Sequence, residues 1–163
     1  MIVYHGSTEI IKNPDVVHSK KYLDFGRGFY ITTFENQAKK WAVRKGMRQE
    51  KNAIVNVYEL SEAWDDFKVL SFEKENEKWL DFVCACRKGQ PLNKEYDIII
   101  GNVADDDVFK TVDMYFRGLW DKEKGLGELR YYKMNNQICI VNQETLNRLI
   151  TFKRAYEVEN NGR

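Results

Sequence analysis

Residues 26–42 read GRGFYITTFENQAKKWA. Two glycines flank Arg27, so the backbone there can take dihedrals that other residues avoid and can let another group come close. GFYITT (28–33) is rich in aromatic and β-branched side chains, which predicts a strand. Phe29 and Tyr30 then face opposite ways, one toward a core and the other toward a cleft. Tyr30 suits the cleft, because a buried hydroxyl needs a partner. Thr32 and Glu35 stand at capping-box spacing. Phe34, Ala38, Trp41 and Ala42 recur at helical spacing, so the strand runs directly into a helix, expected to stop near Gly46.

The rest of the chain is arranged around this strand–helix unit. MIVYHG (1–6) is a short apolar strand, and 8–24 reads as loop with a helical turn. AIVNVYEL (53–60) is a strand. FEKENEKWLDFVCACRKG (72–89) is a helix with Trp79, Leu80, Val83 and Cys86 inward and Gly89 as its stop. YDIIIG (96–101) is a nearly continuous apolar run, so it is expected to be a central strand buried on both faces. ADDDVFKTVDMYFRG (104–118) is a helix with a stripe of Phe109, Val112 and Phe116. Residues 117–136 read as loop with one helical turn, QICIVN (137–142) as strand, QETLNRLI (143–150) as short helix and TFKRAYEV (151–158) as a last strand. The polar end, 157–163, is expected to fray. These connections are too irregular for a doubly wound parallel sheet, so the fold class is α+β with short, mostly antiparallel strands. At 163 residues, with two prolines and no repeat or low-complexity linker, one domain is expected.

Composition narrows the function classes. Lys and Arg total 26 against 25 Asp and Glu, which argues against a protein that coats nucleic acid, since phosphate contacts need surplus cations. No run of about 18 apolar residues exists, so no membrane span is expected. The N-terminus has no charged start followed by an apolar run, so the expected location is the cytoplasm. Cys84 and Cys86 are too close for a usual zinc pair, and only His5 and His18 are at hand to complete a site; with Cys139 they read as reduced core cysteines, and no metal is expected.

Three segments can carry chemistry. In YHGS (4–7), His5 closes a strand ahead of Gly6, whose backbone another molecule can approach. On the tripeptide alone, a strand end with a turn glycine is the plainer reading. Tyr30 and Trp41, eleven residues apart, form a slot for a flat ring if they face each other, or a core contact if they do not. Asn135, Asn136 and Gln137 enter an apolar strand, where an amide can bond a ligand hydroxyl or cap a turn. The lone Gly-x-Gly at 26–28 lacks the third glycine and the βαβ setting of a dinucleotide fingerprint.

Together, YHGS, GRGFYITTFENQAKKWA and NNQICIV resemble the three signature regions of His-Tyr-Glu ADP-ribosyltransferases, the group of diphtheria toxin and the poly(ADP-ribose) polymerases. More closely, LDFGRGFYIT, WLDF, YDIIIGNVADDDV and NNQICI resemble a family of small bacterial proteins catalogued as a domain of unknown function and thought to be ADP-ribosyltransferase-like. That likeness covers nearly all of 2–152. It implies two small sheets around an NAD cleft and transfer of single ADP-ribose units from NAD to a macromolecular acceptor, protein or nucleic acid. It also implies a toxin of a toxin–antitoxin or phage-defence pair, with an antitoxin partner. His5 would bond a ribose hydroxyl, Gly6 would hold the nicotinamide carboxamide and Ser7 would support the adenosine side. Tyr30 and Trp41 would sandwich the nicotinamide, with Gly28 beside them. Arg27, Lys20 and Lys21 would meet the pyrophosphate. Gln137 stands where the group's catalytic Glu usually stands, so chain elongation is not expected, and Asp105, Asp106, Asp107 or Glu128 would have to supply a missing carboxylate. The Asp triplet also reads as a helix cap. Glu128 and Asn135 are the expected acceptor-side contacts. NAD glycohydrolysis, or NAD or partner binding without catalysis, are the alternatives.

Overall fold

The computed structural model describes residues 1–104, 106–128 and 135–159, with the backbone alone for 106–109 and 126–128. Among the described residues, seven strands form two sheets. The first is antiparallel and places β3 (Ala53–Leu60) between β1 (Ile2–Ser7) and β7 (Ile150–Val158). The second runs in the order β2 (Phe29–Ile31), β6 (Gln137–Ile140), β5 (Ile98–Gly101) and β4 (Val69–Ser71). It is antiparallel except for the β4–β5 pair. The fold is therefore α+β with two mostly antiparallel sheets.

The two-residue period of the strands sorts their side chains into three cores. Phe29, Ile31, Ile98, Ile138 and Ile140 from the second sheet meet Val3, Tyr58 and Leu60 from the first, with Leu146 and Leu149 of α5 (Gln143–Leu149). The intervening residues, Tyr30, Ile99 and Cys139, face the other way and pack on Phe25, Trp79, Leu80, Val83 and Val112. These come partly from α2 (Glu77–Arg87) and α3 (Asp106–Phe116). The outer face of the first sheet, with Val55 and Val57, is covered by Ala38 and Ala42 of α1 (Glu35–Gln49). Ile98 and Ile99 lie in different cores, as a strand buried on both faces requires.

The sheets meet at one bridge. Tyr4 N donates to Thr32 O (2.8 Å) and Thr32 N to Tyr4 O (3.0 Å).

Several expectations fail for physical reasons. Thr32 does not cap α1: its hydroxyl donates to Asn136 Oδ1 at 2.8 Å and accepts from Phe34 N at 3.1 Å, and the N-cap is Phe34, without a side-chain bond. Gly46 is not the helix stop. It is buried inside α1, where a Cβ would meet Lys51 O at 2.7 Å, and the left-handed residue is Glu50 (φ 53°). Phe34 and Phe116 are exposed rather than inward. The three-residue β4 lies just ahead of 72–89, where no strand is expected, and α2 begins only at Glu77, whereas α4 (Lys122–Glu128) falls where a helical turn is expected within 117–136. Glu157 and Val158 are in β7 rather than frayed, and 160–163 lie outside the described residues. Within 8–24 the chain turns at 17–18 and at 24, without forming a helix. No described helix is long and apolar enough to cross a membrane.

Candidate functional site

The bridge at Tyr4 sets the orientation of the next two residues of β1. In an antiparallel ladder alternate residues turn their N–H and C=O to alternate edges. Tyr4 spends both on Thr32, so His5 turns toward its partner Asn56 on β3, and Gly6 turns back toward the edge beside β2. None of the bonds among the described residues uses the Gly6 N–H or C=O. Gly6 therefore presents a donor and an acceptor side by side where the two sheets part. It must be glycine for a second reason: a Cβ would lie 2.7 Å from Ala42 N and closer still to the Ala38 carbonyl, so α1 presses on the bare β1 backbone here.

His5 points to the opposite face of β1, into the space between the sheets. Its ring stacks on Phe29 with centroids 4.6 Å apart. Its Nδ1 lies 2.6 Å from Tyr30 O. A carbonyl only accepts, so Nδ1 carries the proton and Nε2 keeps its lone pair. Burial lowers the imidazole pKa to about 4, against the Tyr30 bond, with Lys45 lowering it further. The ring is neutral at pH 7. No described residue bonds Nε2, and among the described residues no buried side-chain nitrogen or oxygen lacks a partner. Nε2 therefore reaches solvent as an acceptor.

Tyr30 is held at both ends. Its carbonyl accepts from His5 Nδ1–H, while its hydroxyl donates to Gly26 O (2.5 Å) and accepts from Phe25 N (3.0 Å). Burial pushes this phenol well above its usual pKa. The left-handed Gly26 (φ 73°) makes that turn possible. Trp41 lies on α1, across β1, and with Gly6 lines a cleft of about 690 Å³. Tyr30 packs instead against the second core, and it is not among the residues that line this cleft.

Gln137 opens β6 and is buried. Its Nε2 donates to Asp24 Oδ2 (3.0 Å) and to Asn102 O (3.3 Å). Asp24 in turn accepts from Arg87 Nε (2.9 Å) and from Ala104 N (2.9 Å), and forms an ion pair with the Arg87 guanidinium. Because Asp24 accepts, the amide is fixed with Oε1 as its unused acceptor atom. Asp24 is thus the carboxylate that touches Gln137, and no sequence signal singles it out.

The neighbouring amides are occupied. Asn135 Oδ1 accepts from Val103 N at 2.7 Å, so this predicted acceptor contact braces the 102–104 loop. Asn136 bonds Thr32, Thr33 N and Thr33 Oγ1, and its backbone carbonyl accepts from Gln37. Ser7 is buried, with Oγ 3.4 Å from Glu9 N. Gly28 lets the chain cross β6, since a Cβ would sit 2.8 Å from Ile140 O, and its N–H donates to Ser19 Oγ (2.9 Å). Arg27 is exposed, and Lys21 lies over the Tyr22 ring. Lys20 bears on Lys45 at the cleft. Asp105 lies outside the described residues; the side chains of Asp106, Asp107 and Glu128 do too, though their backbones belong to α3 and α4. Lys45 and Arg48, which also line the cleft, carry no distinguishing mark in the sequence.

A family profile described as "Protein of unknown function (DUF3990)" matches residues 1–152, so the chain belongs to that family. No curated protein matches it.

Proposed function

Starting from a family whose description assigns no activity, we propose that this chain is a mono-ADP-ribosyltransferase. It uses NAD as substrate and a protein or nucleic acid as acceptor. One observation carries the reading: the Gly6 N–H and C=O bond no described residue at a cleft lined by Trp41, and the adjoining His5, on the opposite face of β1, is a neutral imidazole with an accepting Nε2. A primary carboxamide bonds such a backbone pair with its own carbonyl and NH₂. A ribose hydroxyl can donate to Nε2. In the reaction the ribose C1′–nitrogen bond breaks, its electron pair stays on the departing neutral nicotinamide, and the acceptor attacks C1′ and sheds a proton. The protein's task is to orient the ring and stabilise the oxocarbenium-like ribose. Gln137 Oε1 serves as a hydroxyl acceptor but brings no charge, and the adjacent Asp24 is neutralised by Arg87. This favours slow, single transfer. It also supports a second reading, an NAD-binding module without catalysis.

Three buried free cysteines suit a reducing compartment, so the proposed setting is cytoplasmic, as the toxin of an intracellular pair. The test is labelled NAD added to a lysate with the purified chain. Label on macromolecules supports transfer, and its loss in His5→Ala supports the site. Free ADP-ribose alone indicates glycohydrolysis. NAD binding without turnover selects the module, and no NAD binding removes the proposal.

A further inference from the structure

Arg44, Lys45 and Arg48 project from one stretch of α1 and line the cleft with Gly6, Trp41 and Met47. Lys45 is half-buried. Burial, Arg48 and Lys20 all make its ammonium easier to deprotonate than usual. The acid that bears on Lys45 is Glu9, and Glu9 is shared with Lys51 at 3.8 Å. A nearly neutral protein thus gathers cations from α1 and from the loop after β1 in one concave place. Like charges so placed repel, and a bound anion relieves the repulsion. The cleft, about 690 Å³, falls within the range of small-molecule sites. The Lys45 charge also acts on His5, so the cleft's positive field extends to the residue next to Gly6.

We propose that Lys45 and Arg48, assisted by Lys20, bind the diphosphate of a dinucleotide in this cleft. The proposal rests on the NAD reading for the rest of the ligand and assigns its phosphates to particular side chains. An Arg fork can grip two phosphate oxygens, and a Lys supplies a compact charge. The diphosphate would run along the rim of α1, between the Trp41 wall and the solvent.

Calorimetric titration of the full chain tests this with four probes: ADP, inorganic pyrophosphate, nicotinamide riboside and a single-stranded oligonucleotide. ADP and pyrophosphate are expected to bind. Lys45→Gln and Arg48→Gln should each weaken ADP by about ten- to a hundredfold, the loss of one charge-assisted bond. Glu9→Gln should tighten it. Lys74→Gln, an exposed change ahead of α2, should leave it unchanged. Unaltered ADP affinity in both cleft variants, with native near-ultraviolet dichroism, overturns the proposal, as does binding of the oligonucleotide but neither diphosphate. The two readings separate cleanly. Lys45-dependent ADP binding without riboside binding defeats the NAD reading and leaves the diphosphate site standing. Riboside binding with charge-independent ADP binding does the reverse.

Discussion

Replacing Asp24 by Asn keeps the shape of the side chain and removes its charge. Asp24 is 7 % exposed and accepts from Arg87, Gln137 and Ala104. The Arg87 side chain is 19 % exposed. Taking one partner from a buried ion pair costs about 3–5 kcal/mol, and here the change removes the carboxylate that Arg87, Gln137 and Ala104 share. For a chain of this size each kcal/mol lowers Tm by about 2–4 °C, so Asp24→Asn should melt roughly 6–20 °C below the parent. Removing both charges should cost much less than the two single changes combined. Asp24→Asn/Arg87→Leu is therefore expected to show a coupling of at least about 1 kcal/mol in a double-mutant cycle. The assay is thermal and urea unfolding followed by far-ultraviolet dichroism. A shift below about 2 °C in the single variant, or strict additivity in the double, would refute the view that this carboxylate fastens the 24–28 loop to β6 and α2.

His5 gives a pH dependence. Its folded pKa, about 4, is below the ordinary 6.5, so between those values the unfolded chain binds more protons. Stability should therefore fall as pH drops from 6.5 toward 4, by about 2–3 kcal/mol, and His5→Gln should flatten that slope in urea titrations. Gly6→Ala forces α1 away from β1 and should cost at least about 1–3 kcal/mol while weakening NAD binding; a variant as stable as the parent would show that α1 can shift. Burial pushes the Cys84 thiol up to about 11 and Cys86 to about 12, with Cys139 raised further, so a disulfide reagent at about pH 7.5 should modify the native chain far more slowly than the unfolded one.

The sheets were legible because their signal is local. Three consecutive isoleucines at 98–100 announce a strand with no solvent face, and the α1 apolar positions repeat at helical spacing. The fastenings were not legible, because their partners are distant. Asp24 and Gln137 are 113 residues apart, and Thr32 and Asn136 are 104 apart. Nothing near Thr32 indicates that Asn136 will take its hydroxyl from the helix end. Lys45 and Arg48 failed to stand out for another reason. Lys39 and Lys40 share their helix, and which of its cations line the cleft depends on how α1 sits against Gly6. His5 and Gly6 were visible as an unusual pair, but the direction of the Gly6 backbone depends on the Tyr4 bridge, which no spacing reveals.

That bridge has a mechanical side. Among the described residues, two hydrogen bonds at Tyr4 and Thr32 are the whole backbone seam between the sheets. Each sheet keeps its own ladder intact if the other rocks about that line. The resistance comes from the side chains between them, Val3 and Tyr58 against Phe29 and Ile31. If one sheet rocks against the other, the axis of the swing lies at Tyr4 and the gap beyond the seam, at Gly6, changes with it. The amides of Tyr4 and Thr32 are its natural gauges: their hydrogen exchange reports the swing directly.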